Sequence, residues 1–164
     1  MNSSIKTAVF VDVQNIYYTC RSVYGKQFNY RMLWHKLAAE GEIVQAFAYA
    51  IDRGDEQQRK FQSALRHIGF DVKLKPYIQR ADGSAKGDWD VGITIDMMEA
   101  AVQPASEIER LVLLSGDGDF DLLLQTLTSN YGKQAEVYGV ADLTAKSLID
   151  SATLFHPITN DLLL

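Results

Sequence analysis

Arg110-Leu111-Val112-Leu113-Leu114-Ser115-Gly116-Asp117-Gly118-Asp119-Phe120-Asp121 joins two kinds of sequence. Its first five residues are an apolar run, the pattern of a strand buried on both faces. The middle is small and acidic. It then enters Phe120–Tyr131, where Phe120, Leu124, Leu127 and Tyr131 recur at helical spacing until Gly132 ends the segment. A buried strand that feeds an amphipathic helix is one step of a β–α alternation, and that step repeats on both sides.

On the N-terminal side, Lys6–Val13 is another buried strand, followed by a helix over Asn15–Ser22. A helix over Tyr30–Ala39 precedes a strand over Ile43–Ile51. Glu56–Ile68 is an amphipathic helix with Phe61, Ala64, Leu65 and Ile68 on one stripe. Asp71–Tyr77 alternates, and its lysines and Pro76 place it near a sheet edge. Arg80–Gly87 is a polar loop and Trp89–Val102 a helix. Beyond the central stretch come a strand over Gln134–Tyr138, a short helix over Thr144–Ser151 and a last strand over Thr153–His156. Strands and helices alternate with no clear hairpin turn. The pattern predicts an α/β fold: a mostly parallel central sheet of five to six strands with helices on both faces.

The chain has 164 residues, which suits one domain over residues 1–164. Hydrophobic residues make up 47% and charged residues 23%, a composition that excludes a disordered chain. Cys20 is the only cysteine, so an intrachain disulfide and a cysteine-based zinc cluster are both excluded. The apolar run Ala8–Val11 is too short for a signal peptide, and no segment is long enough to span a membrane. A cytoplasmic protein with no membrane partner is expected.

The net charge of −5 argues against a uniformly basic nucleic-acid binder, but it hides a contrast. Residues 53–86 carry eight basic and four acidic residues; residues 87–164 carry three basic and thirteen acidic. In open parallel sheets, ligands bind beyond the carboxyl ends of the strands. Asp12 and Asn15 follow the first strand, Ser115, Asp117 and Asp119 follow Arg110–Leu114, and Asp88 and Asp90 open a helix. Three segments thus bring carboxylates to one edge. Crowded carboxylates repel one another unless a cation offsets them, and Mg²⁺ and Mn²⁺ prefer such oxygen donors.

Each acid also has a structural alternative. Asp90, Asp117 and Asp119 are all suited to helix capping. Capping accounts for one aspartate of the pair flanked by Gly116 and Gly118, whose lack of side chains admits a close ligand. Asp121 suits a solvated first helical turn. Asp96 lies about 120° around the helix from Asp90, so it suits a supporting position. A calcium loop is excluded because Leu122 and Thr128 stand where Gly and Glu are required. A dinucleotide fingerprint is excluded because Asp121 stands where the third glycine belongs. His35, His67 and His156 have no metal-ligand spacing.

Phe10-Val11-Asp12-Val13-Gln14-Asn15-Ile16-Tyr17, Lys86-Gly87-Asp88-Trp89-Asp90-Val91 and Leu114-Ser115-Gly116-Asp117-Gly118-Asp119-Phe120 together resemble the NYN domain, in the LabA-like branch of the PIN-like nuclease superfamily. The resemblance implies a Rossmann-like three-layer sandwich with an acidic pocket that holds Mg²⁺ or Mn²⁺ and cleaves RNA. Carried over by motif, Asp12, Asp90, Asp117 and Asp119 would be the catalytic, metal-binding acids. Asn15 and Ser115 would support them, and Lys86 would contact phosphate. The family's Lys-Gly-x-Asp carries one extra residue here, so Asp88 and Asp90 compete for one position, and the spacing to Asp96 favours Asp90.

The expected activity is metal-dependent endoribonuclease cleavage of single-stranded RNA. Arg53, Arg59, Lys60, Arg66, Lys73, Lys75, Arg80 and Lys86 would form a track for the strand, and Tyr17, Tyr18 and Tyr77 would stack on bases. Most of these cations also suit a solvated face, and most tyrosines suit a core. Two alternatives stay open: a non-catalytic RNA- or protein-binding regulator, a role known among LabA-like proteins, and a metal-dependent phosphatase. Strand edges and the apolar Leu162–Leu164 end leave both a homodimer and a monomer open.

Overall fold

The computed structural model describes residues 4–76, 78–79, 85–86 and 88–164. The chain runs β1 (Lys6–Asp12), α1 (Val13–Tyr24), α2 (Tyr30–Glu40), β2 (Glu42–Asp52), α3 (Glu56–Ile68) and β3 (Asp71–Pro76). Then come β4 (Ile78–Gln79), β5 (Ala85–Lys86), α4 (Asp90–Val102), β6 (Arg110–Leu114) and α5 (Asp121–Ser129). It ends with β7 (Gln134–Gly139), α6 (Lys146–Ser151) and β8 (Leu154–Pro157).

Six strands form one sheet in the order β3-β2-β1-β6-β7-β8, and every neighbouring pair is parallel. The chain builds outward from β1 through β2 to β3. It then crosses back along α4 and builds outward the other way from β6. The strand order therefore reverses between β1 and β6, and a crevice opens beyond their carboxyl ends, where ligands bind in such sheets.

The side-chain period of two divides the strands between two cores. Val9 and Val11 of β1 with Val112 and Leu114 of β6 face Ile16 and Cys20 of α1, Leu33 and Leu37 of α2, and Leu65 of α3. Ala8, Phe10, Leu111 and Leu113 face Ile93 and Met97 of α4, Leu124 and Leu127 of α5, and Leu148 of α6. Helices thus cover both faces, as the alternation predicts. All five residues of β6 are buried, which explains its unbroken apolar run.

Several details differ from expectation. β4 pairs antiparallel with β5, which lies within the Arg80–Gly87 stretch read as a loop; a ribbon this short leaves no hydrophobic alternation to detect. On α3, Gln62 and Leu65 are buried while Ala64 is exposed, because the helix turns Gln62 inward. Tyr131 lies beyond α5, which ends at Ser129, and is 41% exposed. Leu162 and Leu163 are buried in the α1–α3 core, and the Leu162 carbonyl accepts from the Asn29 amide at 2.8 Å. Among the described residues, no helix is long and apolar enough to cross a membrane.

α5 offers a direct check on which helix face meets the sheet. Leu124 is fully buried and Leu122 is 68% exposed on the same helix. Leu124→Ala should cost roughly 2–5 kcal/mol in urea unfolding, and Leu122→Ala under about 0.5 kcal/mol.

Candidate metal centre

β1 ends at Asp12, which is also the N-cap of α1. β6 ends one residue before Ser115. The two ends are tied together by hydrogen bonds. Ser115 Oγ donates to Asp12 Oδ2 at 3.1 Å and accepts from the Asp117 amide at 3.2 Å. The Gly116 amide donates to Asn15 Oδ1 at 2.9 Å. Ser115 is fully buried, so its hydroxyl has no water with which to exchange these partners. Asn15 and Ser115 therefore hold the acidic loop against β1.

One carboxylate oxygen from each of Asp90, Asp117 and Asp119 lies within 4.8 Å of the others. Asp117 Oδ1 accepts from the Asp119 amide at 2.9 Å, so Asp117 caps the 3₁₀ turn Gly118–Phe120 and also belongs to the cluster. Asp90 arrives on the first turn of α4. Asp88 lies just outside the triad, where its Oδ1 accepts from the Asp90 amide at 3.2 Å. Of the two competing aspartates, Asp90 joins the cluster and Asp88 braces it. Asp12 stands beside the triad rather than in it.

The electrostatics reflect this crowding. Burial pushes the Asp12 carboxyl up to about 6, against the pull of its Ser115 bond and with added repulsion from Asp117 and Asp88. Asp90 is pushed up to about 7, first by burial, then by its hydrogen bond with Asp117 and the charges of Asp117, Asp88 and Asp12. Among the described residues, no lysine, arginine or histidine forms an ion pair with any of these acids. Three clustered carboxylate oxygens with no cation paired to them among the described residues fit a hard divalent ion.

Asp96 has a different environment. It receives Lys73 Nζ at 2.7 Å and the Tyr49 hydroxyl at 2.8 Å, so it anchors α4 to β2 and β3 and does not meet the cluster. The basic track is partly consumed in the same way. Lys75 Nζ donates to the Asp88 carbonyl at 3.1 Å and lies 4.5 Å from the Trp89 ring centroid. Arg53, Arg59, Lys60 and Arg66 are exposed, Arg53 just beyond β2 and the others on α3. Arg59 and Arg66 are seven residues apart on α3, so they share one face about two turns apart. Tyr77 and Arg80 lie outside the described residues; Lys86 is described only as part of β5.

Two further contributors were given no role by the sequence. Trp89 Nε1 donates to the Ala50 carbonyl at 2.8 Å, which pins the start of α4 to β2 and sets the height of Asp90. Its only trace in the sequence is a large aromatic between two aspartates. The second is the segment Leu143–Ala145. A Cβ on Gly116 would lie 2.6 Å from the Leu143 carbonyl oxygen, and one on Gly118 would lie 2.9 Å from the Ala145 Cβ. Neither glycine has a positive φ. They are small because this neighbouring segment packs on the acidic loop, a cause that the motif alone does not reveal.

The family model of the NYN domain matches residues 6–159. The chain belongs to the NYN domain family. NYN domains are generally nucleases, and the acidic cluster stands where the sheet order reverses. Low amplitude and bright protein LabA of Synechococcus elongatus is 30% identical over 130 residues, which cover 74% of this chain and 67% of LabA. The crystal structure of a Vibrio parahaemolyticus protein of unknown function, VPA0982, is 51% identical, covers both chains completely and superposes with a TM-score of 0.91.

Two predictions follow from this geometry. Gly116→Ala forces a methyl group onto a backbone oxygen and should cost about 1–3 kcal/mol, read from urea unfolding. From about pH 4 the folded NYN domain keeps a proton on Asp12 up to about pH 6 and on Asp90 up to about pH 7, where the unfolded chain has released both. That stability is present in full below the unfolded value and is lost as pH rises through 6 to 7. In EDTA, Asp90→Asn should therefore melt above the wild-type chain at pH 8, with the gap closing toward pH 4, in calorimetry across pH.

Proposed function

We propose that this NYN domain is a divalent-metal-dependent endoribonuclease that hydrolyses phosphodiester bonds of single-stranded RNA. The reading rests mainly on one observation: carboxylates of Asp90, Asp117 and Asp119 are packed within 4.8 Å of one another, and among the described residues no cation pairs with them. Such crowding destabilises the folded chain unless a ligand offsets it. Family membership supports nuclease chemistry at this place.

Asp90, Asp117 and Asp119 would hold Mg²⁺ or Mn²⁺, with Asp12 as a fourth carboxylate beside them. When bound, such an ion offsets the charge that develops on a scissile phosphate and lowers the pKa of a water. The chain's own residues supply orientation. Ser115 keeps Asp12 Oδ2 in place, Asn15 keeps the Gly116 backbone in place, and Asp88 holds the first turn of α4. Trp89 fixes that turn to the sheet. Arg53 and Arg59 are exposed on the loop after β2 and on α3, within the charge contrast expected for phosphate attraction.

Purified protein with Mn²⁺ should cut an unstructured RNA, and EDTA should stop it. Asp117→Asn should lower the rate by roughly a hundredfold or more. Mn²⁺ should also raise the melting temperature of the wild-type chain, and that gain should be lost in Asp117→Asn. Retained RNA affinity with no cutting of any RNA length would favour a binding module. Turnover of small phosphate esters with RNA left whole would favour a phosphatase.

A further inference from the structure

α1 starts at the carboxylate cluster and leads away from it. Asp12 is its N-cap, and Asn15 in its first turn holds the Gly116 amide. Val13, Ile16, Thr19 and Cys20 are buried against the sheet. Gln14, Tyr17, Tyr18 and Arg21 fall at i, i+3, i+4 and i+7, and all four are exposed. Tyr17 is 53% exposed and Tyr18 is 68% exposed. Two consecutive exposed tyrosines with a cation beside one of them, on the helix that starts at the cluster, set this face apart from the singly exposed apolar residues elsewhere. Tyr18 lies three residues beyond Asn15, about one turn along the helix on the same side.

The charge on this stripe has the right sign for a nucleic-acid strand. Arg21 is the only charged residue in α1, and its guanidinium carbon lies 6.0 Å from the centroid of the Tyr17 ring. The carboxylate cluster repels a phosphate backbone, so a strand has to be held next to it by other groups. Aromatic faces with a flanking cation do this for unpaired bases.

We propose that Gln14, Tyr17, Tyr18 and Arg21 form a stacking platform for the bases of single-stranded RNA beside the carboxylate cluster. The choice of RNA as the occupant rests on the ribonuclease reading. The platform presents ring faces to the π-faces that every base carries, so binding is tolerant of sequence. A duplex buries those base faces, so double-stranded RNA binds more weakly.

The test is fluorescence anisotropy with a labelled RNA of about 12 nucleotides, in a full chain carrying Asp117→Asn so that the strand stays whole. Joint Tyr17→Ala and Tyr18→Ala should weaken binding by roughly 10- to 100-fold. Tyr18→Phe keeps the ring and should bind like the parent, whereas Tyr18→Leu keeps apolar area without a ring and should not. In the chain with Asp117 intact and Mn²⁺ present, the paired alanine changes should raise KM with little change in kcat. Cutting with an unchanged KM in that variant overturns the platform and leaves the ribonuclease reading standing. Tyrosine-dependent binding with no cutting keeps the platform and removes the ribonuclease reading. No RNA affinity in the parent chain overturns the platform. So does a Tyr18→Leu change that alters sedimentation but not RNA binding, which would assign the stripe to contact between copies of the chain.

Discussion

The join between the ends of β1 and β6 is the constraint on which the rest of the site depends. These strands are the middle of the sheet and the point where its order reverses. Ser115 and Asn15 bridge them with bonds to Asp12 and Gly116. Both groups are polar and sit at the boundary of an apolar core, where an unmade hydrogen bond costs about 1–3 kcal/mol. The bridge therefore has one favourable arrangement. In that arrangement the backbone after Ser115 delivers Asp117 and Asp119 to a place that α4 reaches with Asp90.

That arrangement opposes itself electrostatically. Asp12 and Asp90 are both raised by burial and by neighbouring carboxylates. Four other acids in the same acidic half are matched: Asp96 by Lys73, Glu107 by Lys6, Glu136 by Arg110 and His156, and Asp150 by Lys146. The thirteen acids of residues 87–164 thus include four with a protein cation and a cluster of aspartates that, among the described residues, has none. The distinction matters because paired acids add little net field, whereas the cluster concentrates it in one crevice.

Much of the fold was legible in the chain. Arg110–Leu114 is the observed β6 residue for residue, and Glu56–Ile68 is the observed α3. Long runs with a clear period are readable because burial on a regular element dictates the pattern. The β4–β5 ribbon was not legible, since two residues per strand carry no period. Asp12, Asp90, Asp117 and Asp119 were legible as candidates because each follows a strand or opens a helix. How Asp96 acts was not legible, because its partners Lys73 and Tyr49 come from other strands and it anchors α4 without itself meeting the cluster.

By itself the sequence determined the alternation of strands and helices, the parallel sheet that follows from it, and the edge at which the aspartates collect. Those features rest on local period and chain order. Only the tertiary structure decided which carboxylates meet, that Asp88 braces while Asp90 joins, and that Gly116 and Gly118 make room for Leu143–Ala145. It also decided that Tyr17 and Tyr18 face water, while Lys73 and Lys75 are held by Asp96 and by the Asp88 carbonyl. The physical reason is the same in each case. These outcomes depend on distances of a few ångströms between segments far apart in the chain, and no local pattern encodes such distances.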